Sequence, residues 1–148
     1  MHLAKLVNTL QRFDTPGLLR LKEYVNSPYF KVPKASVNLF NYFYDLHPVF
    51  PQKKITAEVI GEKFDNLSTP SKQNAAGSRL LDSIDHFTAL EAWQRSPYDV
   101  QRHALSGLKE MHRFDEFEKE YIKAYQSLEA NPEQDIDTFF QKHLLTEL

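Results

Sequence analysis

The sequence predicts an all-α fold, an array of about eight helices packed as antiparallel pairs in the manner of a helical repeat. Three observations carry this expectation. Apolar residues recur at three- and four-residue spacing along most of the chain. No stretch sustains the period-two alternation of a half-buried strand. Only four glycines occur in 148 residues, which suits helices and short turns better than a barrel or sandwich.

The stripes can be taken in order. Leu3, Leu6, Leu10 and Phe13 mark the first helix, and Leu18, Leu21 and Val25 the second. Val37, Phe40, Phe43 and Leu46 mark an aromatic third, with Tyr42 and Tyr44 beside it. Ala57, Ile60 and Phe64 give a short fourth. Leu80, Ile84, Phe87 and Leu90 run along a long fifth that begins near Pro70. Val100, Ala104, Leu108 and Met111 mark the sixth, Phe117, Tyr121, Ala124 and Leu128 the seventh, and Ile136, Phe140 and Leu144 the eighth. Phe30, Phe43 and Phe87 are expected to be buried. Pro48-Val49-Phe50-Pro51 reads as an extended connector.

Prolines punctuate these stripes. Thr15-Pro16, Thr69-Pro70 and Ser96-Pro97 each set a capping hydroxyl before a proline at the first helical position, where the missing N–H costs nothing. Ser96 to Asp99 and Asn131 to Gln134 resemble capping boxes. Asn26-Ser27-Pro28 reads as a stop, because proline disfavours helical geometry in the residue before it. Tyr29 and Phe30 are then expected to fold back as wedges between helices two and three.

Composition excludes several classes. With no cysteine, a disulfide framework, a thiolate zinc site and a cysteine nucleophile are all ruled out. No apolar run approaches the ~20 residues of a membrane span. The segment MHLAKLVNTLQRFD is too polar for a secretory signal, so the expected location is cytoplasmic. Nothing divides the chain, which reads as one helical domain over 1–148 or as the N-terminal part of a longer helical protein. Charge is uneven. Residues 1–80 hold eleven Lys/Arg against six Asp/Glu, and residues 81–148 hold seven against fourteen. Solvated helix faces account for this, or opposite fields offered to partners.

The sequence carries no catalytic motif, so no enzyme activity and no cofactor are expected. Gly17, Gly61, Gly77 and Gly107 are isolated and form no phosphate loop. Asp82 and His86 stand one turn apart without a third ligand, and read as a hydrogen-bonded surface pair rather than a metal site. His103 and His112 lie too far apart to chelate one ion. Glu116 and Glu120 open a helix, where acids favour the macrodipole. Trp93 and Tyr98 flank the break at Ser96-Pro97 as a staple between helices.

Two segments suggest binding. Residues 56–81 outline a helix-turn-helix whose second helix carries Lys72, Gln73, Asn74 and Arg79, side-chain types that can read base edges. The long turn, the long second helix and the acidic net charge all argue against nucleic acid. The last helix bears Phe139, Phe140, Leu144, Leu145 and Leu148. This is a wide apolar band, whereas a terminal helix packed on its predecessor needs a single stripe. One flank is expected to meet helix seven through Tyr121 and Leu128. The other is expected to be covered by a protein partner, by further helices of a longer chain, or by self-association.

Tyr24-Val25-Asn26-Ser27-Pro28-Tyr29-Phe30 resembles an SPYF signature near the start of helical-repeat proteins of the Bacteroidetes that have no assigned activity. Ile55 to Ile60 and Ser78 to Ser83 are similar to segments of the same proteins. The resemblance implies the N-terminal part of a longer chain of helical pairs, and supplies no active site. Residues 97–132 separately resemble a tetratricopeptide-type hairpin, although the Trp-x-x-Leu-Gly start is missing and Phe117 is too large for a small-residue position. The functional expectation is a non-enzymatic protein-interaction or scaffold domain that buries an aromatic-rich helical face. The alternative is a DNA-binding regulator acting through residues 56–81.

Overall fold

The computed structural model describes residues 2–148. Eight α-helices follow one another: α1 (His2–Leu10), α2 (Thr15–Asn26), α3 (Lys34–Leu46), α4 (Ala57–Lys63), α5 (Pro70–Gln94), α6 (Pro97–Glu110), α7 (Phe114–Glu129) and α8 (Ile136–Thr146). Short 3-10 turns at Gln52–Lys54 and Asp65–Leu67 flank α4, and no strand occurs among the described residues. Sequence neighbours pack as pairs, α2 on α3, α6 on α7 and α7 on α8. The chain divides into two compact units, residues 1–89 and residues 90–148.

The first unit is organised by the N-terminal part of α5. Gln73, Ala76, Gly77, Leu80, Leu81, Ile84 and Phe87 are its buried residues, a continuous stripe at helical spacing. Phe87 meets Phe13 and Tyr24, with ring centroids 6.3 and 5.5 Å away. The buried Ser36 hydroxyl of α3 donates to the Ala76 carbonyl at 2.9 Å. A side chain as short as serine reaches that backbone only where the two helices lie close, and the residue it meets, Ala76, is itself small. Phe40 and Phe43 of α3 are fully buried.

Gln73 does a different job. It is 1% exposed, and its Nε2 donates to the carbonyls of Ala57 at 2.8 Å and Leu67 at 2.9 Å. One amide therefore ties the start of α4 and the following turn to α5. Gly61 makes room, since a Cβ there would lie 3.2 Å from the Ser68 carbonyl oxygen.

Helix ends follow local chemistry, with two shifts from expectation. Ser96 caps α6, and the Thr69 hydroxyl accepts from the Lys72 N–H. For α2 the cap is Asp14, whose carboxylate accepts from the Gly17 N–H, and Thr15 is already helical. Before α8, Asn131 makes a local turn to the Glu133 N–H, and Asp135 is the cap. An aspartate caps better than a threonine, which explains the first shift.

Three aromatic expectations also change. Phe30 is half-buried and stacks on Tyr24 at 4.1 Å, while Tyr29 is 83% exposed. Phe30 thus lies against α2 and His86 of α5, with no wedge between α2 and α3 from Tyr29. Phe50 is no linker residue. It is buried against Phe43 and His47, with φ at 45°. Trp93 staples His103 at 6.0 Å, with its indole N–H 3.2 Å from His103 Nδ1, the same nitrogen that lies 2.7 Å from the Asp99 carbonyl; Tyr98 packs instead into the core of the second unit.

Two stability outcomes follow. Gln73→Leu strips the donor from two buried carbonyls and lowers unfolding free energy by about 1–3 kcal/mol in denaturant titration. At the end of α6, the Arg113 N–H bonds the Leu108 carbonyl and the His112 N–H that of Lys109, a Schellman arrangement with exposed His112 in the left-handed position at φ 57°. Relief of that strain makes His112→Gly stabilising by about 0.5–1 kcal/mol, read as a higher denaturation midpoint.

Candidate protein-interaction surface

Residues 90–148 enclose their own core. Leu105 of α6, Ala124 and Leu128 of α7 and Leu145 of α8 are buried together, with Tyr98, Phe117, Tyr121 and Leu148 packed against them. The space left among Tyr98, Arg102, Ala124, Leu128 and Leu145 is a void of about 10 Å³, room for one water at most. The seventh stripe accordingly faces inward as its spacing predicts, and Leu128 lies with α8 as expected.

The eighth stripe does not. The buried residues of α8 are Thr138 and Leu145, seven positions apart and so on one face. Leu145 is 4% exposed, whereas Ile136, Phe139 and Phe140 are 83%, 60% and 56% exposed. Ile136, Phe140 and the half-buried Leu144 thus form an outward ridge, at spacing i, i+4, i+8. Of the five residues singled out in the sequence, Phe139 and Phe140 are at the surface, Leu144 is at the flank, and Leu145 and Leu148 serve the internal core. Leu145 is a correction: it packs against Leu105, Ala124 and Leu128 and is closed to a partner.

Thr138 holds this setting. Its hydroxyl lies 2.8 Å from the Glu133 carbonyl and 2.9 Å from the Asp135 carboxylate, donating to one of them at a time, and accepts from Asn131 Nδ2 at 3.2 Å. Its own N–H donates to Asp135 Oδ1 at 2.9 Å. These bonds, from the Thr138 backbone first and its side chain second, hold the Asp135 carboxyl below its ordinary value. The cap is therefore complete above the usual carboxylate range, and is lost as pH falls through that lowered value. Across the neighbouring flank, Lys142 reaches Glu129 of α7 at 2.7 Å and Gln134 Oε1 at 2.9 Å, with Phe139 beside its ammonium.

The alternative site is dispersed. Lys72 and Arg79 are exposed on α5, Asn74 is half-buried, and Gln73 is buried with both amide hydrogens committed to backbone. Gln73 is thus a correction, since a side chain that holds α4 to α5 has no donor left for a base edge. Lys72 leans back onto Ser68 Oγ at 3.1 Å. Among the described residues no group of three or more acidic or histidine side chains could hold a metal, and no helix is long and apolar enough to cross a membrane.

The signal that sequence reasoning missed on α8 is Thr138. A lone threonine beside an Asn-x-x-x-Asp turn marks the inward side, because each of those polar groups supplies a partner for its hydroxyl. Comparison of the chain with models of protein families, with curated proteins and with solved structures finds no match.

Two alanine substitutions in one helix separate its faces. Leu145→Ala costs about 2–5 kcal/mol through lost burial and an unfilled cavity, while Phe140→Ala stays within about 0.5 kcal/mol of the parent in chemical denaturation.

Proposed function

We propose that the chain is a non-enzymatic protein-interaction domain whose contact surface is the outward ridge of α8. One observation carries the reading: an eleven-residue helix that satisfies its packing through Thr138 and Leu145 also holds Ile136, Phe139 and Phe140 in solvent. Clustered exposed apolar groups on one helix are a mark of interaction sites. Exposed aromatics are also the side chains that anchor interfaces. The resemblance to helical-repeat proteins of the Bacteroidetes fits the same reading, since helical arrays commonly bind through a helix face. A protein partner, further helices of a longer chain or a second copy would each bury the ridge.

Site-specific photo-cross-linking in the native cells tests the proposal. A photoreactive phenylalanine at Phe140 is expected to give a discrete cross-linked species, and the same group at Thr88, exposed on α5, is expected to give none. No discrete species from position 140 would overturn the interaction reading.

A further inference from the structure

We infer that the occupant of the α8 ridge is a cationic amphipathic segment, a short apolar ridge flanked by lysine or arginine. The inference rests on the interaction reading above and adds the chemistry of the partner.

Most cations in residues 90–148 are already engaged, while some acids beside α8 are not. The unit holds seven Lys/Arg against twelve Asp/Glu. Nearly every cation is committed within it. Arg113 pairs with Glu116, Lys123 with Glu120 and Lys142 with Glu129. Arg102 lies 3.8 Å from Asp99, and Arg95 and Lys109 donate to backbone carbonyls. The acids beside the ridge are left over. Exposed Asp137 and Glu147 have no ion-pair partner among the described residues, nor has Glu133 just before α8. On a helical wheel Glu147 falls about 20° from Phe140, and Asp137 about 20° from Leu144. Negative charge without an ion-pair partner thus stands at both ends of the apolar ridge, Asp137 at its N-terminal end and Glu147 at its C-terminal end.

That charge selects among occupants. A two-fold pairing of α8 with α8 of a second copy brings residue i against j and j against i. Centred on the ridge, midway between Phe140 and Leu144, it sets Asp137 of each copy against Glu147 of the other. Like charges meet twice, and such juxtaposition disfavours the pairing. An anionic lipid surface meets the same repulsion. A helix carrying lysine or arginine beside its apolar residues meets none, and supplies the counter-charge that the unit lacks.

The test uses the full chain and two short synthetic helices, one of leucine and lysine and one of leucine and glutamate, with fluorescence anisotropy as readout. The leucine–lysine peptide is expected to bind and the leucine–glutamate peptide not to bind. Paired Ile136→Ser and Phe140→Ser substitutions should weaken binding about tenfold or more. Paired Asp137→Asn and Glu147→Gln substitutions should weaken it severalfold and flatten its salt dependence. All four positions are exposed, and circular dichroism confirms that the variants fold. Equal binding of both peptides through Ile136 and Phe140 would overturn the cationic partner while leaving the interaction surface standing. Self-association in light scattering that Phe140→Ser abolishes would overturn it in favour of a second copy. Lysine-peptide binding indifferent to all four substitutions would overturn it too, as non-specific attraction. Absence of peptide binding together with absence of the Phe140 cross-link would remove the interaction reading itself.

Discussion

The hydroxyl of Thr138 sets the rotation of α8, and the character of the surface depends on that setting. A helix can turn about its own axis at little cost unless something indexes it. Here the index is polar. Asn131, Glu133 and Asp135 lie within hydrogen-bond distance of one side chain that is nearly closed to water. Rotating α8 to bury Ile136 and Phe140 would draw Thr138 out of this cage and lift Leu145 from between Leu105, Ala124 and Leu128. The gain from burying two large side chains is offset by a lost core contact and by buried polar groups left without partners. Loop chemistry before the helix thus decides which apolar face solvent sees.

The fold was legible because most of it obeys one rule. Along α5 the residues at helical spacing are the buried ones, and the same holds for Leu6 and Leu10, for Leu18, Leu21 and Val25, and for Ala124 and Leu128. Legibility fails where polarity and burial part company. Gln73 looks like a surface reader because glutamine usually is one, yet two carbonyls at a helix junction need donors and it supplies them. Phe50 sits between prolines in a stretch without periodicity, so its burial against Phe43 had no periodic signal. On α8 the apolar residues are abundant enough to define two faces, and side-chain type alone cannot rank them. The helix singled out in the sequence does expose Phe139 and Phe140, while Leu145 turns into the core.

The electrostatics of the second unit show a similar division of labour. Short-range pairs at i, i+3 hold Arg113 to Glu116 and Lys123 to Glu120 along α7, and exposed pairs of this kind add little stability. Their larger effect is on the residual field. Each cation matched within the unit leaves the surplus acids without a local counter-ion, and several of these acids gather around α8. What the surface offers to its surroundings is set less by its total charge than by which charges remain unmatched.

The Ser36–Ala76 contact has a consequence of its own. A side chain that bonds directly to the backbone of a facing helix works as a spacer gauge, with the α3–α5 separation fixed by the reach of one hydroxymethyl group. Positions 36 and 76 therefore cannot drift independently over evolutionary time. A bulkier residue at either is tolerated only if the other shrinks or the helices part. Among diverging copies of this chain, that pair of small residues should change together or not at all.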